Sequence, residues 1–242
     1  MLEYTGAEQI AELINFSDDL MTITNNKQKE IGKYDLTDLI REISKIDKLE
    51  RIRVSSIEIT EIDDKFIEEL ANNRKLCAHL HVSLQSGSER ILKIMNRKYT
   101  KCEYLEKIGK LKNARPDINL TTDVIVGFPT ETEEEFLECV EYCKLVEFSK
   151  IHVFPYSKRE GTKAAQMDGH LSNSVKKERA RRLIEIDNDL QLKYNEKFIN
   201  KKVKEATKNK TLKNFFILFI FLLSLNSFNS NYIKYTYKYK WN

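Results

Sequence analysis

Three segments of this chain combine an apolar run with small polar residues, and they are the segments in which chemistry is expected. They are His79–Arg90 (HLHVSLQSGSER), Thr121–Phe136 (TTDVIVGFPTETEEEF) and Ile151–Thr162 (IHVFPYSKREGT). In each segment, an apolar run that resembles a β-strand is followed by residues such as Gly, Ser, Thr or Pro. Because α/β proteins bind ligands at the carboxyl ends of their strands, these junctions predict a binding site.

The middle segment contains two candidate site residues, Asp123 and Gly127. Gly127 follows the apolar run Val124–Val126, where it either ends the strand or lets the backbone approach a ligand closely. Asp123 precedes the same run and is either a hydrogen-bonded structural carboxylate or a ligand contact. Both alternatives stay open for each residue.

Three more candidates stand at the ends of the preceding strands. Gln85 has both donor and acceptor capacity, and Ser86 with Glu89 three residues later predicts a helix cap. On the strand before, Ser56 is preferred to Ser55, since alternation sends the two side chains to opposite faces.

Histidine and cysteine do not form a recognisable metal site. His79 and His81 share a strand face but have no third ligand at suitable spacing, so satisfied structural histidines are expected. Cys139 and Cys143 lie four residues apart in a predicted helix, which favours packing. Cys77 and Cys102 are single thiols and are also expected to be structural.

Alternating strands and helices predict an α/β protein with a parallel sheet. A closed eight-stranded barrel requires about 250 residues, so an open sheet or partial barrel is expected. A long helix, about 174–200, follows Ser172. Four strands and the intervening helices are predicted from 51 to 157; the strands are Arg51–Ile57, His79–Ser83, Ile118–Val126 and Lys150–Pro155.

Charge is unevenly distributed along the 242 residues. Residues 201–242 contain nine lysines and one glutamate, a net charge of +8, whereas residues 1–200 carry −4. The basic start of the long helix, Lys176–Arg182, is either a solvated face or a phosphate contact. Lys158 and Arg159 are either solvated or in contact with a phosphate or a ligand carboxylate. The apolar run Phe215–Leu225 is too short for a membrane span, which needs about 20 residues.

From about Tyr34 to Ala206 the chain resembles bacterial tRNA methylthiotransferases, which are radical S-adenosylmethionine (SAM) enzymes. The resemblance rests on the runs RIRVSSIE, LCAHLHVSLQSGSERILKIMNRKYT, TTDVIVGFPTETEEEF and HVFPYSKREGTKAA. FPYSKREGT is similar to the branch that acts on threonylcarbamoyladenosine. The resemblance implies a partial radical SAM (βα) barrel, tRNA as substrate and a cytoplasmic location. It also implies SAM at the strand ends, contacted by Ser56, Gln85, Ser86, Asp123 and Gly127.

The chain departs from the family pattern in its cysteines. The family holds a [4Fe–4S] cluster through C-x3-C-x2-C, whereas Cys139-x3-Cys143 is followed by Val146 at the third position. No metal ligands are therefore assigned, and the resemblance implies a fragment that is inactive alone. A separate polypeptide would carry the missing half. The alternative is a non-catalytic SAM- or tRNA-binding remnant or a pseudogene product.

Four segments are expected on this basis. Residues 1–34 form a divergent N-terminal segment, and 35–170 form the barrel fragment. Residues 171–206 comprise the long helix and the start of a missing RNA-binding β-domain. The last segment, 207–242, is an aberrant basic and apolar tail, for which no membrane association is expected.

Overall fold

The structure is a computed structural model that describes residues 35–47 and 49–199. The predictions for the divergent N-terminal segment, for the apolar run Phe215–Leu225 and for the C-terminal tail lie outside the described residues.

Helices and strands alternate through most of this region, as the sequence pattern predicts. Two short 3₁₀ helices, Ile59–Glu61 and Lys163–Gln166, lie between the longer elements. In chain order these longer elements are α1 (Leu36–Ser44), α2 (Asp64–Asn72), β1 (His79–His81), α3 (Glu89–Ile94), α4 (Lys101–Ala114), β2 (Asn119–Val126), α5 (Glu133–Val146), β3 (Lys150–Pro155) and α6 (Asn173–Glu196).

The three strands form one parallel sheet in the order β1-β2-β3. Leu80 pairs with Leu120, and Thr122 pairs with Ile151, so the register runs continuously across β2. The sheet is open among the described residues. The α/β class and the incomplete barrel predicted from the sequence are therefore confirmed.

The predicted strand Arg51–Ile57 is not a continuous strand. It contacts the next segment through two isolated parallel bridges, Ile52 with Leu76 and Ile57 with Val82. Ile57 lies five positions after Ile52, whereas Val82 lies six positions after Leu76. The register therefore slips by one residue between the two bridges. Such an extra residue interrupts a hydrogen-bonded ladder, which explains why the segment follows the sheet without completing a strand.

One face of the sheet carries the core. Leu80, Leu120 and Val124 are fully or almost fully buried against the helices. The helices contribute large apolar side chains, including Phe66 in α2 and Phe136 in α5. Because side chains alternate along a strand, the neighbouring residues His81, Thr121 and Asp123 point to the opposite face.

Four helices begin at a residue whose side chain caps the helix. In each, the side chain of the residue before the helix accepts a hydrogen bond from the backbone N–H three positions later. Thr100 and Thr132 also form reciprocal capping boxes with Glu103 and Glu135. The other two capping residues are Asp63 and Ser172.

The long helix α6 covers the outer edge of β3. Asp187 is buried in α6, and its carboxylate accepts a hydrogen bond from the Ile151 backbone N–H at 2.7 Å. The same carboxylate pairs with Lys150 and accepts a hydrogen bond from Gln191. A carboxylate of α6 thus satisfies a strand donor that would otherwise face outward.

Candidate functional site

The ends of β1 and β2 bring two of the predicted site residues into direct backbone contact. The Gln85 N–H donates to the Asp123 carbonyl at 2.8 Å, and the Ile125 N–H donates to the Gln85 carbonyl at 2.9 Å. Gly127 follows two residues beyond Ile125. The structure therefore gathers Gln85, Asp123 and Gly127 at one edge of the sheet, as expected for parallel strands.

A bulge separates β1 from Gln85. His81 pairs with Thr121, and Gln85 pairs with Val124. Gln85 is four positions after His81, but Val124 is only three positions after Thr121, so the segment after β1 contains one extra residue. Gln85 itself has a φ of +67°, a left-handed conformation that is uncommon outside glycine. Bulges change the direction of side chains next to functional sites, and this one sets the exit angle of the chain at Gln85.

Three hydroxyl groups satisfy the backbone of this bulge. Thr122 is fully buried, and its Oγ1 donates to the Val82 carbonyl at 2.7 Å and accepts from the Leu84 N–H at 2.9 Å. Tyr104 donates to the Val82 carbonyl at 2.8 Å, and Tyr99 donates to the Leu84 carbonyl at 2.9 Å. No local sequence pattern identifies these three residues, because only the three-dimensional bulge gives them a partner.

Ser86 does not cap the following helix. The helix α3 begins at Glu89, and its capping residue is Ser88, whose side chain accepts from the Ile91 N–H. Ser86 is fully buried, and its hydroxyl accepts a hydrogen bond from the Ser88 N–H at 3.2 Å. Its hydroxyl thus shapes the turn instead of ending the helix.

Ser56 lies immediately before Ile57, whose N–H donates to the His81 carbonyl at 2.9 Å. It therefore stands at the same level of the sheet as the end of β1. Ser55 and Ser56 are both half-buried, so burial does not distinguish them.

Gly127 opens a tight loop that residues 127–132 form between β2 and α5. Its φ is +72°, and its N–H donates to Oε2 of Glu131 at 2.7 Å. A Cβ at this position would come within 2.3 Å of Cγ of Lys176 in α6. The space beside the glycine is therefore filled by the lysine stem, and the close approach that the sequence predicts is made by a helix of the same chain.

A polar row crosses the face of the sheet that the helices leave open; it consists of His81, Asp123 and His152. His81 Nε2 lies 3.2 Å from Asp123 Oδ2, and its Nδ1 lies 2.9 Å from Thr121 Oγ1. The His81 and His152 rings are 5.7 Å apart between centroids. The row offers an imidazole and a carboxylate that lie within 3.2 Å of each other.

His79 lies on the same face and is held neutral. Burial, followed by the nearby Arg53 guanidinium, lowers the pKa of His79 to about 4. Its Nε2 lies 3.3 Å from Nη2 of Arg53, whereas its buried Nδ1 has no hydrogen-bond partner.

The four cysteines do not fit an iron–sulfur cluster. Cys139 and Cys143 are buried on one face of α5, and Cys139 Sγ accepts a hydrogen bond from the Gly87 N–H at 3.0 Å. The hydrogen bond with Cys139, together with burial, raises the pKa of Cys143 well above that of a free thiol. Cluster ligands must be thiolates, so these side chains are suited to packing. Across residues 35–47 and 49–199, no three His, Cys, Asp or Glu side chains are arranged to hold a metal.

The basic cluster at the start of α6 is largely engaged within the protein. Arg179 is buried and pairs with Glu131 at 2.6 Å, and Arg182 pairs with Glu133 at 2.5 Å. Arg181 pairs with acidic residues of its own helix. Arg179 thus holds the 127–132 loop and Arg182 contacts the first residue of α5, whereas for the exposed members of the cluster both alternatives stay predictions.

Lys158 and Arg159 are exposed in the loop after β3. Their role in binding stays a prediction. In the part of the chain that the structure describes, no helix has both the length and the apolar character that crossing a bilayer requires.

Comparisons with known proteins agree with the sequence resemblance. Residues 29–143 match the family model described as the Radical SAM superfamily. Threonylcarbamoyladenosine tRNA methylthiotransferase MtaB of Bacillus subtilis is 39% identical over 220 residues, which cover 89% of this chain and 47% of the relative. The tRNA-2-methylthio-N(6)-dimethylallyladenosine synthase of Acetivibrio thermocellus is 44% identical over 180 residues, which cover 74% of this chain and 38% of the relative.

A solved structure gives the same fold. Coproporphyrinogen III oxidase (HemN) from Escherichia coli, described as a radical SAM enzyme, matches with a TM-score of 0.53 at 16% identity. The match covers 66% of this chain and 38% of that one. The chain spans less than half the length of these curated relatives. Residues 29–143 therefore match the radical SAM superfamily, and the chain is homologous to tRNA methylthiotransferases.

Proposed function

We propose that this chain provides the SAM-binding part of a tRNA methylthiotransferase. The observation that carries the proposal is the pair of left-handed turns, Gln85 and Gly127, at the ends of two adjacent parallel strands. Gln85 is not a glycine, and strained backbone of this kind collects at ligand sites. The homology to enzymes whose names include tRNA methylthiotransferase supports the same assignment.

The donor set suits a nucleoside ligand with a charged amino acid tail. In the proposed site, the Asp123 carboxylate accepts hydrogen bonds from ribose hydroxyls or from an ammonium group, and the Gln85 amide both donates and accepts. Ser56 adds a hydroxyl at the neighbouring strand end. In the proposed site, the loop that follows Gly127 would face the adenine, and Ser86 would support the turn. When bound, SAM would supply the methyl group and the radical chemistry of the family.

The buried thiols are the reason to assign cluster binding elsewhere. No three His, Cys, Asp or Glu side chains of the described residues are arranged to hold a metal, so we assign the cluster ligands to a separate polypeptide that completes the barrel. The chain alone is then a SAM-binding protein without SAM cleavage. Residues 35–170 would form the barrel part, and the long helix would be followed by the start of an RNA-binding domain.

The proposed substrate is a modified adenosine beside the anticodon of tRNA. FPYSKREGT favours the threonylcarbamoyladenosine branch, and relatives from both this branch and the dimethylallyladenosine branch support the wider assignment. The exposed Lys158 and Arg159 in this run are suited to phosphate contacts.

Calorimetric titration of the purified chain with SAM tests the binding proposal. We expect one SAM per chain, and Asp123→Asn should weaken binding about tenfold, the size of one charge-assisted hydrogen bond. Asp117→Asn, two residues before the amino end of the same strand, is the matched control and should leave affinity unchanged. Equal affinities in the two variants, or no binding by the unaltered chain, would refute the assignment of the site.

Anaerobic addition of iron and sulfide tests whether the chain binds a cluster by itself or needs a separate polypeptide for the cluster. We expect no stoichiometric [4Fe–4S] absorption and no cleavage of SAM. Mass spectrometry of tRNA nucleosides, from a host that lacks methylthiotransferases and expresses this chain, should find no methylthioadenosine. A stoichiometric cluster or a methylthiolated nucleoside would show that the chain acts alone.

A second candidate is a non-catalytic remnant that binds SAM or tRNA, and the packed state of Cys139 and Cys143 favours it. Both proposals predict SAM binding, so the calorimetric titration does not distinguish them. A separate polypeptide that restores cluster formation and nucleoside modification when it is mixed with this chain would exclude the remnant.

A further inference from the structure

Arg179 reaches from α6 into the loop that follows β2. Its Nη1 donates to Glu131 Oε2 at 2.6 Å and to the Glu131 carbonyl at 3.1 Å. Its Nε donates to Glu133 Oε2 at 3.3 Å. The side chains of Arg179 and Glu131 are 5% and 2% exposed, so this is a buried ion pair that joins two distant parts of the chain.

The same carboxylate oxygen also holds the glycine of the loop. Glu131 Oε2 accepts from the Gly127 N–H at 2.7 Å, so one oxygen joins the guanidinium to the backbone at the end of β2. Burial raises the pKa of Glu131. A buried carboxylate is costly without a cationic partner, and Arg179 is that partner. Loss of the guanidinium would therefore weaken the hold of Glu131 on Gly127.

Further contacts fix the rest of the loop. Thr130 has a φ of +67°, which is an outlier for a β-branched residue, and its N–H donates to the Gly169 carbonyl at 2.9 Å. Arg90 donates to the Thr130 carbonyl at 2.8 Å and binds both oxygens of Glu135. A strained backbone of this kind persists only when several contacts hold it.

We propose that Arg179 is a positioning residue, which keeps the 127–132 loop in the conformation that receives the nucleoside end of SAM. This inference rests on the proposed SAM-binding function. It assigns α6 to the cofactor site, although α6 follows the residues 29–143 that match the family model. Arg179 acts through Glu131 and Gly127 and does not contact the ligand.

Two methionine variants on the same helix provide a matched test. Arg179→Met removes the contact with Glu131, whereas Arg181→Met removes only the pairs with Glu178 and Glu185 on the helix itself. Both variants lose one positive charge. Any difference between them therefore reports the position of the arginine and not the net charge.

The first readout is amide hydrogen exchange at Gly127, measured by nuclear magnetic resonance without ligand. We expect Arg179→Met to accelerate this exchange by about tenfold or more, while amides in the centre of β2 keep their rates. Arg181→Met should match the unaltered protein. Unchanged exchange at Gly127 would overturn the proposal, and so would an equal acceleration throughout β2, because that result indicates general destabilisation.

The second readout is the dissociation constant for SAM from calorimetry. Arg179→Met should raise it about tenfold, and Arg181→Met should not change it. An unchanged dissociation constant in Arg179→Met would overturn the link to the ligand. If the unaltered chain binds no SAM, the proposed function fails, but exchange at Gly127 still decides whether Arg179 positions the loop.

Arg179→Lys keeps the test decisive if the methionine variant does not fold. An ammonium group can pair with the Glu131 carboxylate, but it cannot reproduce the planar fork that also reaches the Glu131 carbonyl and Glu133. We expect intermediate exchange at Gly127 and intermediate SAM affinity. Exchange and affinity both equal to those of the unaltered protein would overturn the positioning role of the guanidinium.

Discussion

Gly127→Ala tests whether the loop after β2 requires glycine for its conformation, for space, or for both. The residue has a φ of +72°, and a Cβ would lie 2.3 Å from Cγ of Lys176. Two other glycines separate these effects. Gly161 has a φ of +79° with open space around it, and Gly109 lies within α4 with open space and no positive φ.

The three substitutions should therefore rank by mechanism. Gly109→Ala should stabilise the protein by about 0.5–1 kcal/mol through helix propensity. Gly161→Ala adds about 1–2 kcal/mol of left-handed strain and recovers about 0.4–1 kcal/mol from the unfolded chain. Gly127→Ala adds to that strain an overlap of about 1–3 kcal/mol. A net loss of about 1–4.6 kcal/mol is expected at Gly127, which lowers the Tm by roughly 2–18 °C in a protein of this size.

Urea denaturation followed by circular dichroism measures all three free energies of unfolding. Lys176→Ala completes a double-mutant cycle, since removal of the lysine stem should recover most of the overlap term in Gly127→Ala. If Gly127→Ala lowers the free energy of unfolding no more than Gly161→Ala does, overlap with the Lys176 stem is not a significant cost. The same conclusion follows if the two substitutions Gly127→Ala and Lys176→Ala are additive.

Three further predictions concern buried polar groups. Thr122→Val leaves the Leu84 N–H without its acceptor and should lower the free energy of unfolding by about 1–3 kcal/mol in urea titrations; an unchanged midpoint would contradict the role of Thr122 in the bulge. Asp187→Ala exposes the strand donor at the edge of β3 and should cost a similar amount, about 1–3 kcal/mol, by the same measurement, with no loss counting against the edge contact. His79 has a folded pKa of about 4, below its unfolded value, so its contribution to stability is complete above pH 6.5 and declines as the pH falls towards 4. Urea midpoints from pH 7 to pH 4 should fall less steeply in His79→Gln than in the exposed control His152→Gln, and identical slopes would refute this assignment.

The features that the sequence predicts well are those set by near neighbours. The capping residues Thr100 and Thr132 contact the backbone three residues later, so a short window contains the whole interaction. Ser86 matches the same spacing pattern but does not cap a helix, because Ser88 occupies that position and Ser86 is buried by the turn. Two serines two residues apart both satisfy the local rule, and only packing chooses between them.

The candidate site was predicted in outline for a related reason. Strand ends and their small polar residues can be read directly from the sequence, which places Gln85 and Gly127 correctly at one edge of the sheet. The register slip before Gln85 depends on pairing with a strand that is about 40 residues distant. Arg179 pairs with Glu131 across 48 residues, and a basic helix start is equally compatible with solvent. Contacts of this range have no local signal.

The Asp187 carboxylate at the edge of β3 determines on which side another strand could be added to the sheet. An intruding strand from another chain would have to displace this carboxylate and the whole of α6, so recruitment of further β-structure on that flank is disfavoured. The opposite flank ends in the loosely bridged segment Arg51–Ile57, beyond which the described residues add no strand. Any polypeptide that extends this sheet would therefore add its strands on the side of Arg51–Ile57 and not beside β3.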